Sequence, residues 1–265
     1  MCYLLEVTWL RDKVVLVTGA SGGIGQALAA EFARTGAMVV VSSRNEDKLQ
    51  ALANRLKSDG GQAVPLRCDV VEKDQVDALC TIITERVGTV QILINNAGLA
   101  RAASFLEMED RLWNQILQVN VTGTYNCCKA FLPGMIHRGW GRIINIASTT
   151  AKVAYSHVSA YTASKHGVLG LTRSLALETA KLGVTVNTIC PGYVDTESTR
   201  ENARRMADTT GKKLDDILRL FADSSPQKRL IPPGEVAALT LMLASERAGG
   251  ITGQAINVDG GAVMV

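Results

Sequence analysis

A doubly wound α/β fold, built on a seven-stranded parallel sheet with helices on both faces, is what this sequence predicts. Short, almost wholly apolar runs recur along the chain. Each is followed by a stretch whose apolar residues repeat at three- and four-residue steps, the pattern of buried parallel strands joined by helices. The first run passes directly into a glycine turn that opens a helix. No linker, repeat or low-complexity segment interrupts the 265 residues. One domain spanning 1–265 is therefore expected, at the upper end of what a single hydrophobic core supports.

Lys13–Thr18 (K-V-V-L-V-T) is the first expected strand. Gly19-Ala-Ser-Gly-Gly-Ile-Gly25 follows, then helical spacing through Leu28, Phe32 and Ala33 that closes at Gly36. The first N–H groups of a helix have no partner within it, and the positive end of its dipole points the same way, so this junction is an anion site. Glycines let the backbone turn tightly and approach a pyrophosphate. The spacing is G-x-x-x-G-x-G, through Gly19, Gly23 and Gly25. Between a strand and a helix it indicates a dinucleotide-binding (Rossmann) fold.

The second strand is expected at Met38–Ser42. About 20 residues past the glycines, where an acid would hold the ribose 2′-hydroxyl of NAD, the chain has Ser43 and then Arg44. A hydroxyl and a guanidinium suit a 2′-phosphate instead, so NADP(H) is expected over NAD(H). The competing reading of Arg44 is a surface charge. Asn45 is placed to cap the next helix, with Glu46 and Asp47 in its first turn.

Leu66–Val70 is expected to end the third strand, with Asp69 either touching the adenine or capping the helix that follows. The fourth strand, Val90–Ile94, leads into Asn95-Asn96-Ala97-Gly98. A long helix through Trp113, Ile116, Leu117 and Val119 then carries Asn120 in its interior, as a satisfied core amide or as a functional group. The fifth strand, Arg142–Ala147, delivers Ser148 at its carboxyl end, where open α/β sheets bind ligands. Val184–Cys190 forms the sixth and ends at Pro191-Gly192-Tyr193-Val194-Asp195-Thr196. Residues 197–232 break the alternation; polar and helix-leaning, they are expected to form a small helical lid over the ligand edge. A helix from Pro233 through Leu243 and a strand at Gln254–Val258 complete the series.

Composition excludes several classes. A 47% hydrophobic, 20% charged chain with a formal net charge of +3 has no basic footprint for nucleic acid. No apolar run approaches the ~20 residues of a membrane span. The first ten residues carry Glu6 and no basic leader, so a short extension or edge segment is expected rather than a signal peptide. The six cysteines have no C-x-x-C spacing and the three histidines no ligand spacing. No metal and a reducing, cytoplasmic compartment are expected.

Tyr161 and Lys165 stand four residues apart in a segment whose Val168, Leu171 and Leu175 recur at helical steps from about Ser159. Such positions share one helix face, with Cβ atoms roughly 5–6 Å apart. Free tyrosine titrates near pH ~10, and a neighbouring cation favours the phenolate, making the phenol a usable general acid or base. Ser148, on a separate segment, can hydrogen-bond the same reacting oxygen.

Taken in order, T-G-A-S-G-G-I-G (18–25), C-D-V (68–70), N-N-A-G (95–98), Asn120, Ser148, Y-T-A-S-K (161–165) and P-G-Y-V-D-T (191–196) resemble the short-chain dehydrogenase/reductase family over nearly the whole chain. Within it, S-S-P-Q-K-R-L (224–230) and I-T-G-Q-A-I-N-V-D-G-G (251–261) look most like 3-oxoacyl thioester reductases and 3-hydroxyacyl-CoA dehydrogenases, while S-T-x-x-K and S-K-H-G-V-x-G look like polyketide ketoreductases. The resemblance implies that Tyr161 is the acid or base and that Ser148 polarises the carbonyl. It implies that Lys165 lowers the tyrosine pKa and holds the nicotinamide ribose, and that Asn120 places a relay water. It also implies a cofactor surface of Gly19, Ser21, Gly22, Gly23, Ile24 and Gly25 at the pyrophosphate, Asp69 and Val70 at the adenine, and Asn96, Ala97, Gly98, Pro191, Gly192, Val194 and Thr196 towards the nicotinamide. A homotetramer acting in fatty acid metabolism is implied in the same way.

Substrate signals are thinner. Arg200, Arg204, Arg205, Lys212 and Lys213 in the lid could meet the phosphates of an acyl-CoA or an acidic acyl carrier protein, or form a solvated helix face. Arg101, just past N-N-A-G, has the same two readings. Tyr155, His157 and Tyr193 are candidates to line the acyl pocket. Another ketone, polyketide or cyclic, is the alternative substrate. A dinucleotide-binding regulator without turnover would not need Asn120, Ser148, Tyr161 and Lys165 all intact.

Overall fold

The computed structural model describes residues 10–265, and the expected N-terminal extension, at 1–9, lies outside them. The strands are β1 (Val14–Thr18), β2 (Met38–Ser43), β3 (Gln62–Arg67), β4 (Ile92–Asn95), β5 (Gly141–Ile146), β6 (Val184–Pro191) and β7 (Ala255–Val258). All pair in parallel, in the order β3-β2-β1-β4-β5-β6-β7. β1 has β2 on one side and β4 on the other, so the winding direction reverses there. Chain leaving the carboxyl ends of β1 and β4 diverges and opens the crevice where doubly wound sheets hold ligands.

Side-chain alternation divides the core between the two faces of the sheet. Val15 and Val17 of β1 pack with Leu28 and Phe32 of α1 (Gly23–Arg34), Leu49 and Leu52 of α2 (Glu46–Ser58) and Val236 and Leu243 of α9 (Pro233–Ala244). Val14 and Leu16 pack on the other face. Their neighbours there include Val76 and Ile83 of α3 (Lys73–Arg86), Phe131 and Met135 of α5 (Gly123–His137) and Ala176 of α6 (Ser159–Thr179). Each such fully buried Leu, Ile or Phe contributes about 1.5–3 kcal/mol of transfer free energy, and the two layers hold the strand ends rigidly. α7 (Glu197–Thr210) and α8 (Leu214–Asp223) fill the expected lid segment and close a cluster of their own around Ala203, Ile217 and Phe221.

Three boundaries differ from expectation. β3 stops at Arg67, so Asp69 and Val70 sit in the loop after it. Asp69 does not cap α3: the residue before that helix is Glu72, and Asp69 Oδ1 accepts Val71 N–H at 3.2 Å in a local turn. Ser148 lies just beyond β5 and is the cap residue of a short 3₁₀ turn, Thr149–Ala151. The long helix expected around Asn120 is broken. α4 (Asp110–Leu117) passes into a π-helical turn, Gln118–Thr122, before α5 resumes. Thr124 Oγ1 donates to the Asn120 carbonyl at 2.8 Å, steadying the widened turn.

Candidate active site

At the end of β1 the glycine turn is crowded beneath and open above. Gly19 has φ +63°, and a Cβ there would lie 2.7 Å from Ala97 Cα; one on Gly25 would lie 2.8 Å from Ala20 Cα. A Cβ on Gly23 would stand 2.5 Å from Thr196 Cβ, whereas around Gly22 there is nothing within 4 Å. Gly22 precedes α1 and supplies no side-chain cap, leaving the first N–H groups to a ligand. A cleft of about 670 Å3 opens here, lined by Ser21, Gly22, Gly23, Lys48, Arg55 and Thr196 among others. The cradle fits the phosphates of a dinucleotide.

N-N-A-G braces that turn. Thr18 Oγ1 accepts N–H from both Asn96 and Ala97 at 3.1 Å, and Asn96 Nδ2 donates to the Thr18 and Gly19 carbonyls at 3.1 Å. The Asn96 amide hydrogens are thus committed to the loop rather than turned towards a nicotinamide. Val194 departs from expectation in the same way. It is 4% exposed, its side chain lies in the core and its backbone bridges Ile231. Thr196 caps α7, accepting Thr199 N–H at 3.2 Å. Pro191 closes β6, and Gly192 N–H donates to Val258 O at 3.1 Å.

Arg44 is 70% exposed, with its guanidinium 3.9 Å from Asp69 Oδ2, and Arg67 Nε donates to the Arg44 carbonyl at 3.3 Å. Ser43 Oγ accepts Asn45 N–H at 3.3 Å, while Asn45 caps α2 as expected through Lys48 N–H at 2.9 Å. Val70 is buried, and its carbonyl takes a bond from Asn126 Nδ2 at 3.0 Å. Arg44 is left as a loosely held cation just past the carboxyl end of β2.

The first turn of α6 brings the other predicted residues together. Lys165 is 4% exposed; its Nζ donates to Ile146 O at 3.0 Å and lies 5.5 Å from the Tyr161 ring centroid. A Cβ on Gly98 would lie 3.5 Å from Asn120 Oδ1 and 3.6 Å from Lys165 Nζ, so the loop after β4, the π turn and α6 meet at one point. Tyr161 is partly buried with Ser148 near its phenol, and Ser148 Oγ accepts Thr150 N–H at 3.2 Å. Asn120 is 1% exposed, and both its amide hydrogens are used. Its Oδ1 accepts Leu99 N–H at 2.8 Å, and its Nδ2 donates to Leu99 O at 3.0 Å and to Ser164 Oγ at 2.9 Å. It clamps Leu99 to α6, and with both amide hydrogens used a relay water would have to donate to one of its oxygens.

The electrostatics also depart from expectation. Desolvation pushes Tyr161 up to about 12 and outweighs Ser148, which pulls it down. Burial brings Lys165 down to about 8. The lysine ammonium is aimed at a carbonyl of β5, so in the protein alone desolvation dominates both groups.

Around the mouth, Tyr193 stacks on Phe221 with centroids 4.2 Å apart, and Tyr155 is 49% exposed. His157 is exposed, and its carbonyl accepts Ala103 N–H at 2.8 Å, tying the loop after N-N-A-G to the entrance of α6. The lid cations are largely spoken for. Arg200 pairs with Asp195 at 2.7 Å, Arg204 with Glu197 at 2.6 Å and Arg205 with Glu201 at 3.7 Å, so α7 neutralises most of its own charge; Lys212 and Lys213 stay exposed. Arg101 is half-buried and donates to Ala100 O at 2.9 Å.

Two features escaped sequence reasoning. One is Ser164, treated only as part of Y-T-A-S-K. The other is a buried file of amides and hydroxyls. Asn95 Nδ2 donates to Asn145 Oδ1, Asn145 Nδ2 to Thr172 Oγ1 and Thr188 Oγ1 to Thr172 Oγ1, each at 2.8 Å. Asparagines inside otherwise apolar strands were the available signal.

Residues 13–207 match the short chain dehydrogenase family. An uncharacterized oxidoreductase of Bacillus subtilis, YxjF, is 41% identical over 253 residues, 95% of this chain and 98% of that protein. The 3-oxoacyl-[acyl-carrier-protein] reductase FabG of Vibrio harveyi is 37% identical over 257 residues, 97% of this chain and 99% of its own. A solved structure of a variant actinorhodin polyketide ketoreductase with NADPH superposes with a TM-score of 0.92 at 37% identity, covering 94% of this chain and 97% of that one. The chain belongs to the short-chain dehydrogenase family.

Proposed function

We propose that this member of the short-chain dehydrogenase family is an NADP(H)-dependent reductase of 3-oxoacyl thioesters, or the matching 3-hydroxyacyl dehydrogenase. One observation carries the reading: Lys165 Nζ lies 5.5 Å from the ring of Tyr161 at the carboxyl edge of the sheet, with Ser148 near enough to the phenol to favour its ionised form. NADPH, when bound, supplies the hydride. Ser148 orients the substrate carbonyl, and the Tyr161 phenol gives its proton to that oxygen as the carbon is reduced. Lys165 is the cation that offsets the phenolate left behind, and Asn120 holds Leu99 against α6. Ser21, Gly22, Gly23, Ile24 and Gly25 present backbone N–H groups to the pyrophosphate. Ser43 and Arg44 take the 2′-phosphate, and residues 197–232 act as a lid.

Likeness to the Vibrio harveyi reductase supports a thioester substrate, carried by coenzyme A or an acyl carrier protein. A bulkier polyketide ketone is the second reading. It is favoured by the polyketide ketoreductase likeness and by the Tyr193–Phe221 stack, a flat apolar surface at the mouth. A cytoplasmic homotetramer is proposed from the family resemblance, and the five described cysteines, all free, suit a reducing compartment.

Loss of reduced-nicotinamide absorbance with acetoacetyl-CoA, run with NADPH and NADH in parallel, tests this. Fast turnover with NADPH and slow turnover with NADH is expected. Equal rates would remove the 2′-phosphate assignment. No turnover with either, alongside measurable NADPH binding, would move the substrate to the bulkier ketone.

A further inference from the structure

Ser164 is 0% exposed and sits at the junction of the three segments that build the site. Its hydroxyl donates to the Tyr161 carbonyl at 2.7 Å and accepts from Asn120 Nδ2 at 2.9 Å. Asn120 in turn grips Leu99 through both its N–H and its carbonyl. A continuous chain of hydrogen bonds therefore runs from the N-N-A-G loop, through the π turn, into the backbone of the residue that bears the phenol.

We infer that Ser164 is a positioning residue for the proton-donating pair: its hydroxyl locks the first turn of α6 to the π turn and so sets where Tyr161 and Lys165 stand relative to the N-N-A-G loop. The inference rests on the reading of Tyr161 as the proton donor. A serine hydroxyl bonded to a carbonyl one turn back competes with the helix's own ladder and tends to bend it slightly. That cost is borne where the helix must be held, beside the site. The π turn supplies the other half. A regular helix through Gln118–Thr122 would rotate Asn120 away from α6, and widening that turn delivers the amide to Ser164.

α6 offers an internal control. Thr172, also 0% exposed, lies two turns further on and makes three side-chain hydrogen bonds to the two of Ser164. Its hydroxyl accepts from Asn145 Nδ2 and Thr188 Oγ1 and donates to Val168 O, all at 2.8 Å, and none of these bonds runs to Tyr161 or Lys165. Loss of hydrogen bonds at Thr172 reports what pinning the helix is worth. Loss at Ser164 reports that and the placement of the phenol besides.

The test compares Ser164→Ala, Thr172→Val and Tyr161→Phe with the wild type. Steady-state reduction of a ketone the wild type turns over, acetoacetyl-CoA first, is followed with NADPH, together with thermal midpoints. For Ser164→Ala a fall in kcat of roughly 10- to 100-fold is expected, the scale of a misplaced reacting group, with the KM for NADPH within about 2-fold. Thr172→Val should lower the thermal midpoint at least as much while keeping kcat within about 2-fold of wild type. Ser164→Ala at wild-type kcat would overturn the inference, as would kcat losses in the two variants that simply track lost stability. Tyr161→Phe retaining full kcat would overturn the proton-donor reading and the inference with it, an outcome distinct from either of the others.

Discussion

The glycine turn at the end of β1 and the first turn of α6 face the same crevice but dispose of their polar groups in opposite ways. At the glycine turn the helix N-terminus is uncapped, Gly22 looks onto open space and Arg44 is 70% exposed with only a 3.9 Å ion pair. At α6, Lys165, Ser164 and Asn120 are each at most 4% exposed and bonded within the protein. One region waits for charge to arrive from a ligand; the other is organised before anything binds. Preorganised groups act on the chemical step, whereas exposed, loosely paired cations act on binding and are discounted by solvent.

The largest effect that could break this contrast is at Tyr161. Tyr161→Phe removes the proton donor while leaving the ring, and kcat should fall about 100- to 10,000-fold, the usual contribution of a positioned acid. Cofactor affinity, measured by NADPH fluorescence titration, should hardly move. A parallel loss of NADPH binding would mean that the two regions are not separable.

A middling effect belongs to the other side. Arg44→Ala should weaken NADPH by roughly 10-fold, the scale of one charge-assisted contact at a half-solvated site. NADH should change by no more than about 2-fold, with kcat at saturation retained. Isothermal titration with both cofactors decides it, and equal losses would make Arg44 a surface charge.

The smallest effect sharpens the contrast by ionisation. Burial holds Lys165 at about 8 against its ordinary 10.5. Between those values the unfolded chain binds the proton better, so the penalty of burying the ammonium is complete below pH 8 and is relieved as pH rises towards 10.5. Tyr161 and the five described thiols are all raised by burial and pull the other way, losing stability as pH rises. The lysine's part is therefore read as a difference. The thermal midpoint of the wild type minus that of Lys165→Met should climb from pH 8 towards pH 10, and a flat difference would mean that Lys165 feels no desolvation.

Much of this was legible in the sequence because parallel strands buried on both faces leave unbroken apolar runs. Val14–Thr18 and Val184–Pro191 are wholly buried and were found within a residue or two. The glycine turn, Ser148, Tyr161 and Lys165 were legible because each is a residue type that its position demands. Other features depended on geometry that no local pattern encodes. The π turn at Asn120 has the composition of an ordinary helix; only its partners, Leu99 and Ser164, require the widening. The lid arginines looked like a basic surface because each acid that neutralises them lies a turn or so away in the same stretch. Tyr161 was expected to be acidified by Lys165. The desolvation of both groups, which reverses that balance, is a property of the packed layers and not of spacing.

Gly23 and Thr196 touch although most of the chain separates them. The phosphate cradle therefore has one wall made well before the other during synthesis, and a nascent chain holding only the first wall has the glycine turn without its lid. Contacts of such sequence separation close late and slowly, because loop entropy is lost before they return any stability. A ligand that needs both walls binds only the completed fold, and its binding energy adds to the stability of that fold alone. Cofactor supply in the cell thus bears on how much of this protein survives its own assembly, as well as on how fast it turns over.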